Sequence, residues 1–117
     1  MTNIVIETGR LTANPEITTK GENYFCRFTI AVQRPKKKGA ETSDTDFFQC
    51  IAWNKNADVV HQWYKKGDMI SVVGNLRSNS YEKNGEKRTS VEIKVNEVHF
   101  TGGKKEDNSV DEFVPIF

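Results

Sequence analysis

Two stretches, residues 24–34 and 47–53, place their side chains with a period of two, the spacing of a strand with two unlike faces. In 24–34, Tyr24, Cys26, Phe28, Ile30 and Val32 take one face, and Phe25, Arg27, Thr29, Ala31 and Gln33 take the other. In FFQCIAW, 47–53, Phe48, Cys50 and Ala52 oppose Phe47, Gln49, Ile51 and Trp53. A buried amide without a partner costs roughly 1–3 kcal/mol, so Gln49 marks the wet side. Phe48, Cys50 and Ala52 therefore face the core, while Phe47 and Trp53 face outward. Two such rings left wet point to a binding surface or to a face covered by a loop or a second subunit.

The remaining elements follow from punctuation. NIVIETGRLTA, 3–13, reads as a strand with a bend or bulge at Gly9, and ANPEITTKGEN as the loop after it. KKKGAETSDT is a basic loop leading into the strand at about 45–53. Asn54 is placed to cap a short helix with apolar positions Ala57, Val60 and either Trp63 or Tyr64. Lys65 and Lys66 suit its last turn, and Gly67 its C-cap. MISVVGNLR, 69–77, is a fourth strand, Asn84-Gly85 a hairpin signal, and TSVEIKVNEVHF a fifth strand. The order β-β-β-α-β-β is that of an all-β, five-stranded OB-fold Greek-key barrel with one short helix between strands 3 and 4.

A chain of 117 residues fits one domain with a real core. Cys26 and Cys50 both sit in apolar stretches and read as buried thiols rather than as a disulfide. No metal-ligand spacing and no glycine-rich phosphate loop is present. Asp44 and Asp46 lack a base or nucleophile beside them, and His61 reads as a surface residue of the helix, so neither an enzyme nor a cofactor is expected. No apolar run reaches the roughly 18 residues of a membrane span, and MTNIVIETGR lacks a basic leader with an apolar signal core. The expectation is a cytoplasmic protein with no membrane partner.

The net charge of +1 hides an asymmetry. Residues 101–117 carry −2, leaving 15 basic and 12 acidic groups, a net +3, in residues 1–100. Arg34, Lys36, Lys37 and Lys38 lead into the aromatic strand, and Lys55 follows it. Tyr81 lies in a second segment with Lys83, Lys87 and Arg88. Rings among cations suit single-stranded nucleic acid, where bases stack for about 1–3 kcal/mol each and the backbone follows the positive charge. The same surface would serve RNA, or a protein partner in a primosome-like assembly.

At this point the chain resembles the bacterial-type single-stranded DNA-binding proteins over roughly residues 3–100. The matching stretches are NIVIETGRLTANPE at 3–16, FTIAV at 28–32, TDFFQCIAW at 45–53, WYKKGD at 63–68, GNLR at 74–77, and SY before an NG turn at 80–85. The resemblance implies an OB-fold homotetramer that coats single strands during replication, recombination and repair, whether chromosome, plasmid or phage encoded. It places the base-stacking aromatics on Phe47, Trp53 and Tyr81. Phosphate and polar contacts are then expected from Arg34, Lys36, Lys37, Lys38, Gln49, Lys55, Arg77, Lys87 and Arg88. Members of this family often carry a basic residue where Gln49 stands. A further aromatic found in some members after strand two is replaced here by RPKKK, which shifts the balance toward charge.

Residues 1–101 are thus expected to form the DNA-binding domain, and 102–117 a flexible acidic and apolar tail. Its tip, DEFVPIF, is similar in kind to the acidic, Pro-Phe-containing tips of the family, which recruit replication and repair proteins. Asp111, Glu112, Pro115, Ile116 and Phe117 would take that role, on a linker much shorter than usual.

Overall fold

The computed structural model describes residues 1–101, so the expectations for the tail lie outside the described residues. The two alternating stretches form strands as expected, and the structure pairs them with each other. β3 (Asn23–Gln33) and β4 (Thr45–Trp53) run antiparallel from Phe25 opposite Trp53 to Gln33 opposite Thr45. Cys26, Phe28, Ile30, Cys50 and Ala52 are buried on one side of this pair, and Phe48 packs against them. Both cysteines are free thiols buried in the core.

The other strands are β1 (Val5–Leu11), β2 (Glu16–Lys20), β5 (Met69–Lys83) and β6 (Glu86–His99), with α1 (Lys55–Trp63) between β4 and β5. The sheet order is β1-β5-β6-β4-β3-β2, and a second pairing of β1 with β3, at Arg10–Ala31 and Leu11–Ile30, closes the barrel. This is the OB-fold architecture. Its core gathers Leu11, Ile70, Val72, Ile93 and Val95 with the β3 and β4 residues, and Ala57, Val60 and Tyr64 cover it from the helical side. No helix among the described residues is long and apolar enough to cross a membrane.

Five local expectations need correction. The segment read as a loop after β1 contains β2, which pairs with β3 through Ile17 opposite Cys26. Its two-residue connection carries Gly21 at φ 62, the requirement of a type II′ hairpin. Gly9 is no bulge, because β1 keeps unbroken register with β5 through it. The glycine is needed because a Cβ would sit 2.5 Å from the Ala31 carbonyl oxygen as β1 crosses to β3.

Asn54 does not cap α1 with its side chain; its backbone lies at φ 51. Its Oδ1 instead accepts from the Tyr24 amide at 3.2 Å, tying the helix start to β3. The helix ends at Trp63, before Lys65, Lys66 and Gly67. Gly67, at φ 92, belongs to the following turn and donates its amide to the Leu11 carbonyl. Finally, β5 and β6 extend well past the barrel as a two-stranded ribbon, from Ser78 opposite Val91 to Lys83 opposite Glu86. Asn84 and Gly85, at φ 54 and 80, close it as a type I′ turn.

Candidate nucleic-acid interface

The outer faces of β3, β4, β6 and β5 lie side by side, so residues far apart in the chain share one surface. Register assigns them to it. Phe25 lies opposite Trp53, Arg27 opposite Ile51, Thr29 opposite Gln49 and Ala31 opposite Phe47. The parallel β4–β6 pair brings Lys94 beside Ile51. The β5–β6 pair then adds Asn75 opposite Lys94, Arg77 opposite Glu92, Asn79 opposite Ser90 and Tyr81 opposite Arg88. A groove of about 440 Å³ runs between Arg27, Gln49, Ile51, Trp53, Arg77, Asn79, Ser90, Glu92 and Lys94.

Phe47 is 64% exposed and Tyr81 48% exposed. Trp53 is half-buried against Phe25, with ring centroids 5.0 Å apart and planes tilted by 50°. Phe47 and Trp53 lie six residues apart on one strand, so they mark out a track of about 20 Å. The groove itself holds Arg27, Arg77 and Lys94 against the single carboxylate of Glu92, a net +2. Ile51, expected on the wet face, is buried at 5% exposure. Arg27 reaches from β3 across β4, where Ile51 is its register partner, to Glu92 on β6 at 3.4 Å.

The residues named from sequence separate into three groups. Phe47, Gln49, Trp53, Arg77, Tyr81 and Arg88 share the outer face, and Lys55 is exposed two residues beyond Trp53. Lys36, Lys37 and Lys38 are exposed on the loop joining β3 to β4 and form no ion pair among the described residues. Arg34 is committed elsewhere. It donates twice to Asp46, each bond 2.9 Å, and lies 3.9 Å from Asp44. Those bonds hold the Asp46 carboxyl below its ordinary pKa and raise that of Arg34. Lys87 is the register partner of Glu82 on the reverse side of the ribbon, away from Tyr81. Arg88 lies 3.2 Å from the Glu86 carboxylate.

Sequence reasoning did not single out Phe25, Arg27, Asn79, Ser90, Glu92 or Lys94 for this surface. Phe25 and Arg27 had a usable signal, since alternation already put them on the wet side of β3. The β5 and β6 residues had none, because nothing local announces a parallel β4–β6 contact.

The chain was also compared with known proteins. The family model described as single-strand binding protein family matches residues 1–101. The single-stranded DNA-binding protein 3 of Listeria innocua serovar 6a is 39% identical over 107 residues, covering 90% of this chain and 67% of its own. The single-stranded DNA-binding protein of Treponema pallidum is 33% identical over 102 residues, 86% of this chain and 58% of its own. The single-stranded DNA-binding protein 1 of Clostridium acetobutylicum is 35% identical over 108 residues, 89% of this chain and 97% of its own.

Proposed function

Because the chain belongs to the single-strand binding protein family, we propose that its outer sheet face binds single-stranded DNA without sequence preference, coating strands exposed in replication, recombination and repair. The observation that carries this reading is the placement of Phe47, Trp53 and Tyr81 on the face that also presents Arg27, Arg77 and Lys94. A duplex keeps its bases stacked inside and offers such rings little. A single strand offers a ring face at every nucleotide, and stacking stabilises each by about 1–3 kcal/mol whatever the base. The cations follow the phosphates, with Lys36, Lys37, Lys38, Lys55 and Arg88 extending the positive track. Affinity then falls as salt rises, with a logarithmic slope of about −0.7 per phosphate neutralised. The chain acts by binding and carries out no reaction.

Two features support a homotetramer. β1 bonds β5 on one side and meets β3 only at Arg10 and Leu11, which leaves the edge of residues 5–8 without a partner strand among the described residues. Ile4 and Ile6 beside it are 66% and 58% exposed. The setting is the bacterial cytoplasm, or a host cytoplasm for a phage-encoded copy. The acidic and apolar tip at 111–117 serves to recruit replication and repair proteins.

The test is a poly-dT titration followed by tryptophan emission at low salt. Quenching is expected in the unmodified chain and much less in Trp53→Phe, where only Trp63 reports. Trp53 emission indifferent to poly-dT at low salt would sink the reading. The same titration with poly-rU reports how far the surface separates DNA from RNA.

A further inference from the structure

Glu92 is out of place in a surface meant for phosphate. Its side chain is only 11% exposed, yet it lies among Arg27, Arg77 and Lys94 and cancels one of their charges. Its contacts give it a different role. One carboxylate oxygen accepts from Arg27 Nε at 3.4 Å, and the other from Asn79 Nδ2 at 3.3 Å. The Arg27 guanidinium carbon lies 5.1 Å from the centroid of the Phe25 ring, and that ring leans on Trp53. Contacts therefore run without a break from Glu92 on β6 to the indole at the end of β4.

Arg27 is 60% exposed, and a long side chain this wet loses its place without a fixed partner. A guanidinium set over a ring face also stiffens the ring beneath it. We propose that Glu92 is a positioning residue for single-strand binding: it tethers Arg27 over Phe25 and so holds the Phe25–Trp53 pair as a ready platform for a base. This rests on the reading that the outer face binds single strands. It makes a prediction opposite in sign to simple electrostatics. Removing a negative charge from a phosphate-binding groove should tighten binding; removing this one weakens it, because the platform is lost.

The test uses the full chain in a Trp63→Phe background, so that Trp53 alone reports, titrated with poly-dT at several salt concentrations and compared between variants at the same salt. Glu92→Gln is expected to weaken binding about fivefold despite the loss of a negative charge from the groove. It also shifts the emission of the unbound indole to the red as the ring becomes wetter. Arg27→Gln weakens binding as well, and the double variant is no weaker than Arg27→Gln alone. Arg27→Lys keeps the charge but not the planar group; it is expected to weaken binding with an unchanged salt slope, which keeps the test open if Glu92→Gln does not fold. Glu92→Gln binding as tightly as the unmodified chain or more so, additive effects in the double variant, or Arg27→Lys behaving like the unmodified chain would each overturn the proposal. No poly-dT binding by the unmodified chain would overturn this proposal and the functional reading together.

Discussion

Gln49 occupies the centre of the outer face, between Phe47 and Trp53 and opposite Thr29. An amide there can bond a phosphate or a base edge but attracts neither by charge. Gln49→Arg places a cation in the groove beside Arg27 and Arg77. It is expected to tighten poly-dT binding by about three- to tenfold at low salt and to steepen the salt slope by about 0.7. Titrations at several salt concentrations check this, and an unchanged slope would show that Gln49 does not meet the backbone. Arg34 teaches the opposite lesson. In sequence it heads a basic run; in the fold its two bonds to Asp46 commit its donors. Lys36, Lys37 and Lys38 are the members of that run left to meet a strand.

Among the elements, the β5–β6 ribbon depends on a single glycine. The register between these strands shifts at Val73 and Gly74, with Asn96 left over on β6. A Cβ at Gly74 would run into the Lys94 carbonyl oxygen across the pair. Gly74→Ala must therefore push β5 and β6 apart where the barrel passes into the ribbon. The expected loss is more than about 2 kcal/mol, read as a lower urea midpoint. Because Lys94 and Arg77 flank this junction, poly-dT binding weakens with it. Gly85→Ala at the ribbon tip has open space around it and bears only the strain of its φ of 80, so its effect on stability is smaller.

At the scale of the described residues taken together, the buried core of the closed barrel holds two thiols and a phenol. Burial pushes the Cys26 thiol up to about 11 and the Cys50 thiol up to about 12, against an ordinary value of 9.0. Burial likewise pushes the Tyr64 hydroxyl up to about 12 from 10.0. All three stay protonated in the fold at a pH where the unfolded chain ionises. The unfolded state then binds fewer protons, so their contribution is intact below about pH 9 and is lost as pH rises toward 12. Urea midpoints should change little from neutral pH to about 9 and fall progressively above it. At neutral pH both thiols should resist iodoacetamide until the chain unfolds. On the acid side, Glu7 is raised by burial and by the charge of Asp46, while Asp46 is lowered by Arg34. These two shifts oppose each other, so the alkaline limb carries the clearer signal.

What could be read along the chain was whatever repeats or punctuates locally. The period of two in β3 and β4, the Asn84-Gly85 turn and the apolar spacing of α1 identified a five-strand, one-helix plan and the outward rings Phe47 and Trp53. Their side of the sheet was legible because one amide, Gln49, cannot be buried cheaply. β2 escaped notice because it has one apolar anchor, Ile17, and holds to β3 by backbone bonds that any sequence can make. The ribbon escaped because, beyond the barrel, its register is set by the turn and needs no core. The site divides along the same line. Individual strands show which residues face water, but only the barrel decides which strands are neighbours. The parallel contact of β4 with β6 joins Lys94 to Ile51 and sets Glu92 within reach of Arg27, across more than sixty positions of chain. Such a contact leaves no periodic trace, because its free energy comes from closing the sheet rather than from any stretch of the sequence.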